Sequence, residues 1–208
     1  MNYKIEDLKD TARFKLIKTL HYTGIIEFVF KNIQNKNLPS RFYTFFNLFI
    51  LVIIIGLSVS GFQNDLFNFK DYIFSFLWGF LSGSIFVIPL HELIHGLAYK
   101  LKGAPKINFG ADLGQAIFYV AADNFVIGKK TFFFVAIAPF VTINILALFL
   151  INFSGPSSII SILFFLLFHN IMCIGDFAMI SFFVENKAKE LFTYDDHKER
   201  TSYIYEAL

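Results

Sequence analysis

Apolar residues in this chain gather into long, nearly unbroken stretches rather than short periodic patches. Four such runs stand out, at roughly 42–60, 72–99, 131–153 and 157–184. About 20 apolar residues cross the hydrocarbon core of a bilayer, so each run is long enough for one transmembrane helix. The pattern predicts an all-α polytopic membrane protein. It has about four transmembrane helices in a single domain over residues 1–208, flanked by a cytoplasmic or interfacial segment, 1–41, and a cytoplasmic tail, 185–208. The stretch between the second and third runs has another rhythm. Lys106–Gly110 and Ala116–Ala121 read as two short strands on either side of Gly110 to Gly114, predicting a small β-hairpin-like loop. Two strands alone are marginal, so this loop must lean on the bundle or take up a third strand. Between Ala12 and Phe30, Phe14, Ile17, Leu20, Ile25 and Phe28 mix with basic residues. That segment is either a helix lying on the inner leaflet or a solvated helix docked on the bundle.

Charge along the loops sets an orientation. Residues 1–41 carry eight Lys or Arg against four acids, and residues 100–130 hold Lys100, Lys102, Lys106, Lys129 and Lys130. The loop at 61–71 has Lys70 as its only basic residue, Ser154-Gly155-Pro156 has no charge, and the tail carries Lys187, Lys189, Lys198 and Arg200. Basic excess therefore alternates, which puts both termini and the middle loop on the cytoplasmic side. Composition agrees with the runs: 56% of residues are hydrophobic, 30 are Phe, and the mean hydropathy is +0.59. Cys173 is the sole cysteine, so no intrachain disulfide forms. Polar residues rather than a short apolar segment follow Met1, so no cleavable signal peptide is expected.

The second run ends in Pro89-Leu90-His91-Glu92-Leu93-Ile94-His95-Gly96, an HExxH pattern. Residues four apart share a helix face, so His91 and His95 can point at one object. Two neutral imidazoles supply half of a tetrahedral zinc site. Glu92 is then free to act as a general base, because zinc lowers the pKa of a bound water to about 7. The bland alternative is two histidines and a glutamate packed against other helices. A charge near the centre of a membrane helix costs about 2.5–3.5 kcal/mol, which argues for a functional role. Pro89 removes a helical hydrogen bond just before His91 and predicts a kink there. Gly79 and Gly83 have the spacing of a close helix contact, and Asn144 in the third run is expected to bond a neighbouring helix.

A third zinc ligand must lie at the depth of His91. Asp176 is the one carboxylate within the core of the fourth run; it lies 19 residues after Ser157, just as His91 lies 19 after Tyr72. Both runs travel from outside to inside, so at about 1.5 Å per residue the two side chains meet at similar depth. Gly96 and Gly175 adjoin these ligands and are expected to let their helices approach. His169 is a rival, about 10.5 Å from Asp176 along an unbroken helix, and with Cys173 it forms an alternative donor pair. If Asp176 is the ligand, Asn170 and His169 are left to orient a substrate carbonyl or stabilise an oxyanion. Helix–helix hydrogen bonding is the equal alternative for each.

His91-Glu92-Leu93-Ile94-His95-Gly96 in a span, the following strand-like loop, Ala138-Pro139-Phe140 and Asn170 to Asp176 together resemble the putative zincin peptidase family, long known only as a domain of unknown function. More remotely they are similar to the site-2 protease class of intramembrane zinc metalloproteases. That resemblance implies zinc held by His91, His95 and Asp176, water activated by Glu92, and substrate positioned by Asn170. The order Gly175-Asp176, with no nearby proline, departs from the site-2 signature, which ends in Asp-Gly. The expected activity is zinc-dependent cleavage of a membrane-spanning or membrane-proximal peptide near the cytoplasmic face. The expected partners are the lipid bilayer and a membrane-protein or peptide substrate, without nucleic acid. A non-catalytic metal-binding or transport protein, or a peptide-binding pseudo-protease, is the alternative.

Overall fold

All four apolar runs are helical, and two of the four are broken in the middle. The computed structural model describes residues 3–112, 114–115, 117–186 and 190–208. Along the chain these form helix α1 (Ile5–Leu8), strand β1 (Phe14–His21) and helices α2 (Ile25–Ile33), α3 (Leu38–Gln63), α4 (Phe69–Leu81) and α5 (Ile88–Leu101). Strands β2 (Asn108–Asp112), β3 (Ile117–Ala121) and β4 (Ile127–Gly128) follow, then helices α6 (Lys129–Ile151), α7 (Pro156–Met172) and α8 (Ile174–Glu185). Strands β5 (Leu191–Asp196) and β6 (Thr201–Ala207) close the chain. Helices α3 and α6 are each long and apolar enough to cross a membrane. The pairs α4–α5 and α7–α8 reach that length only if each is one bent span, with bends of 41° and 46°.

The first bend has the expected cause and one more. Ser82–Phe86 form a π-helical turn in which the Val87 N–H bonds the Ser82 carbonyl at 3.0 Å. Pro89 then sits in the first turn of α5, where its missing N–H costs least. Gly79 and Gly83 let this segment close on α7: a methyl on either would overlap Phe164 or the Phe165 backbone.

The termini overturn the all-α expectation. Strands β1, β6, β5 and β4 form a four-stranded antiparallel sheet in that order. The mixed segment 12–30 therefore begins as a strand, followed by a 3-10 turn at Tyr22–Gly24 and the α-helix from Ile25, and the supposed tail supplies the sheet's central hairpin. The partner of β1 lies some 180 residues away in sequence, so local periodicity alone does not reveal it. The expected hairpin is present, pairing Asn108 with Ala121 through to Asp112 with Ile117. Its first strand starts two residues later than Lys106; Ala116, Lys187 and Lys189 lie outside the described residues.

One apolar cluster joins the sheet to the bundle. It takes Ala98 and Tyr99 from α5, Phe132 and Val135 from α6, Ile180 and Phe183 from α8, and Leu191 and Ile204 from the sheet. Opposite it, Ser181 of α8 ties the α2–α3 turn: its hydroxyl donates to the Asn32 carbonyl at 2.7 Å and accepts from Asn37 at 2.9 Å.

Candidate metal centre

The bend at Val87 aims the first turns of α5 into the bundle, so His91 and His95 lie one above the other and face α8. His95 Nε2 is 3.1 Å from His91 Nε2. Asp176, in the first turn of α8, places its two carboxylate oxygens 3.4 Å from His91 Nε2 and 3.2 Å from His95 Nε2. Four-coordinate zinc with bonds of about 2.0–2.1 Å separates its N and O donors by about 3.3 Å. The three donors match that spacing pairwise, so the residues fit a zinc ion. Their chemistry also fits, because two neutral imidazoles and one carboxylate suit a dication.

Each imidazole is held from behind. His95 Nδ1 lies 3.0 Å from the Val135 carbonyl of α6, which takes its proton and leaves the Nε2 lone pair facing Asp176. His91 Nδ1 lies 3.2 Å from His169 Nε2 at the end of α7. The break at Cys173 makes this possible. On an unbroken helix His169 and Asp176 stand two turns apart; the 46° bend brings both to His91, one on each ring nitrogen.

Three site-related expectations meet a different arrangement. Asn170 is not brought to the centre. It is fully buried and shares a reciprocal amide pair with Asn144, at 2.7 and 3.1 Å, which also accounts for Asn144 as a helix–helix contact. The glycines beside the ligands do not bring α5 and α8 together. Gly96 instead makes room for the Phe109 ring of β2, and Gly175 faces open space.

A largely apolar cavity of about 680 Å³ opens onto the donors. Glu92, His91, His95, Asp176 and His169 line it, α2 contributes Ile26 and Phe30, and β3 contributes Ile117 to Val120. Glu92 stands beside the donors without joining the ligand set, and the Val120 backbone N–H is directed at its carboxylate. Asp195 of β5 also lines the cavity. Burial pushes its carboxyl up to about 6, with the Asp123 charge adding to the rise and the Ser202 hydroxyl opposing it. Sequence reading missed both Asp195 and the cavity face of α2. Neither carries a local signal, since the sheet and the α2–α8 packing are long-range.

A bundle that presents two histidines of one helix and an aspartate of another, beside a glutamate in a cavity, has the donor set of a metallopeptidase-type centre. The chain belongs to the family described as "Putative zincin peptidase", whose model matches residues 84–191 and so takes in all of these residues. Zinc is the ion that this family implies. No curated protein and no solved structure matches the chain.

Proposed function

We propose that the protein is a zinc-dependent intramembrane endopeptidase, cutting a membrane-spanning or membrane-proximal peptide near the cytoplasmic face. The observation that carries this reading is the placement of Glu92 beside, and outside, a His91–His95–Asp176 donor triad in the wall of an apolar cavity. His91, His95 and Asp176 would hold the zinc, which when bound supplies Lewis acidity to the scissile carbonyl and lowers the pKa of a water to about 7. Glu92 would take a proton from the attacking water at its carboxylate and return it to the leaving amine nitrogen. Val135 and His169 keep the two imidazoles in the tautomer that faces the triad. The ionisable residues inside the apolar runs form one cluster rather than a track, which favours chemistry over transport.

In this reading the four apolar segments all span, with both termini inside. Labelling an engineered cysteine at Asn64, in a Cys173→Ala background, is expected from the outer face alone; labelling from the cytoplasm overturns the orientation. The substrate has to be extended, because a helical peptide buries its carbonyls in its own hydrogen bonds. Among the described residues strand β3 pairs with β2 on one side only, and the Val120 N–H points toward Glu92. Backbone groups two residues apart in a strand point the same way, so Phe118 shares that open edge. Substrate adding there as a strand satisfies its freed backbone groups. Phe118→Pro removes a donor from the edge and is expected to slow cleavage several-fold while sparing zinc; cleavage at the wild-type rate rules strand addition out.

Purified protein tests the whole reading. Wild type should retain zinc and hydrolyse a membrane-proximal peptide, and Glu92→Gln should retain zinc while losing about 10²- to 10⁴-fold in rate. Equal rates for the two proteins would dismiss the peptidase assignment.

A further inference from the structure

We infer that the protein has a second metal position, built from His91 Nδ1, His169 Nε2 and Cys173 Sγ, which shares the His91 ring with the peptidase centre. This goes beyond the peptidase reading and does not depend on it. The first position uses one nitrogen of His91, and the second uses the other. His91 Nδ1 and His169 Nε2 are 3.2 Å apart, and His169 Nε2 is 3.7 Å from Cys173 Sγ. All three donor atoms lie within 4.8 Å of one another. An ion with Zn–N bonds of about 2.05 Å and a Zn–S bond of about 2.3 Å separates such donors by about 3.3 Å (N to N) and about 3.6 Å (N to S). Both spacings from His169 thus match a tetrahedral site, on the side of the His91 imidazole opposite the first position.

Burial points the same way. His169 and Cys173 have no exposed surface, and among the described residues His169 Nδ1 has no partner in hydrogen-bond geometry. Neighbouring Asn170 is committed to Asn144. Two polar contacts of the His169 ring run to His91 and Cys173, the other two donors. Charge is balanced on entry. A divalent ion displaces the thiol proton of Cys173 and the Nδ1 proton of His91, adding two positive charges and releasing two protons, so this apolar interior gains no net charge. A thiolate beside two imidazoles selects soft or borderline ions, zinc or cobalt(II) among the divalent ones, over calcium and magnesium. The break between α7 and α8 assembles this position too, since Cys173 is its hinge residue.

Cobalt(II) titration of the metal-free full-length protein in detergent tests it, because a cobalt–thiolate bond gives a near-ultraviolet charge-transfer band. Cys173 is the only cysteine, so the wild-type spectrum decides without relying on any variant to fold. The expected result is two cobalt ions per chain and a thiolate band that develops with one of them. Asp176→Ala should keep the band and bind one ion, Cys173→Ser should lose the band and bind one ion, and His91→Ala should bind neither. Saturation at one ion with no thiolate band in wild type overturns the proposal and leaves His169 as a hydrogen-bonded brace. A band that disappears in Asp176→Ala overturns it as well, by placing the thiolate in the first centre. Peptide hydrolysis is a separate readout, so failure of the peptidase reading leaves the thiolate result standing.

Discussion

The two bent helix pairs, α4–α5 and α7–α8, turn through nearly the same angle, 41° and 46°, but they build the centre in opposite ways. In the first pair every site residue comes after the break. His91, Glu92 and His95 all sit on α5, and the bend only aims that helix. In the second pair the site residues straddle the break, with His169 before it and Asp176 after it, so the bend itself creates the juxtaposition. The causes differ as well. The first break has a backbone origin, a π-helical turn followed by Pro89. The second contains no proline and is held from outside. The Tyr43 hydroxyl of α3 donates to the Ile171 carbonyl at 3.0 Å, an acceptor that an unbroken helix would give to Gly175. Below it, Cys173 and Phe177 pack with Phe140. A bend needed only to aim a helix can be written in one residue. A bend that has to place donors on both sides is set by its neighbours.

The largest expected effect tests whether both pairs are needed for one ion. In a Cys173→Ser background, which removes the thiolate donor, His91→Ala, His95→Ala and Asp176→Ala should each abolish the tightly held zinc, measured as metal per chain after gel filtration. Three protein ligands leave no redundancy in such a site. Retention of zinc in Asp176→Ala would mean that α5 alone holds the ion and that the second bend serves another purpose.

The buried amide pair that locks α7 against α6 is next. Hydrogen bonds between membrane helices contribute about 0.6 kcal/mol on average and up to about 1.7 kcal/mol. Asn144 and Asn170 make two, and removing one partner strands the other's carboxamide in an apolar setting. Asn170→Ala should therefore lower stability in detergent by about 2 kcal/mol, read from thermal unfolding, and weaken zinc through the displaced α7–α8 junction. If activity alone falls while stability and zinc are unchanged, Asn170 acts on substrate after all.

The same contrast explains what the sequence disclosed. The four apolar runs, the kink at Pro89 and the hairpin rest on local chemistry, and all were readable. The meeting of His91 with Asp176 followed from counting residues along two apolar runs, which needs only the helical rise. His169 did not follow, because the rule that separates it from Asp176 assumes an unbroken helix, and no residue at 172–174 announces a break. The role expected of Asn170 failed to materialise in the cavity for a related reason: Asn144 is 26 residues away, and nothing in either segment shows that the two amides meet. The terminal sheet was unreadable on the same grounds. Phe14 to His21 alternate poorly, and a shift of register between Leu16 and Lys18 disturbs the period further.

The smallest effect is also the sharpest comparison of the two breaks. Tyr43→Phe keeps the ring, which packs on Phe177 at 5.3 Å, and removes only the hydroxyl that satisfies the Ile171 carbonyl. The lost bond is worth about 1 kcal/mol in this setting, and that energy now favours closing the helix across Cys173. Closing it draws Asp176 and His169 toward opposite ends of a straight helix, so zinc affinity should fall by up to about fivefold, the equivalent of that ~1 kcal/mol. Pro89→Ala acts on the other break. It restores an N–H in the first turn of α5, where the π-helical turn has already rearranged the ladder, and the donors of α5 move together as one rigid group. Its effect on zinc affinity should stay within about threefold, well under 1 kcal/mol. Competition with a chromogenic chelator measures both variants on one scale. A larger loss in Pro89→Ala than in Tyr43→Phe would reverse the assignment, making the proline bend the feature that assembles the centre and the second bend its consequence.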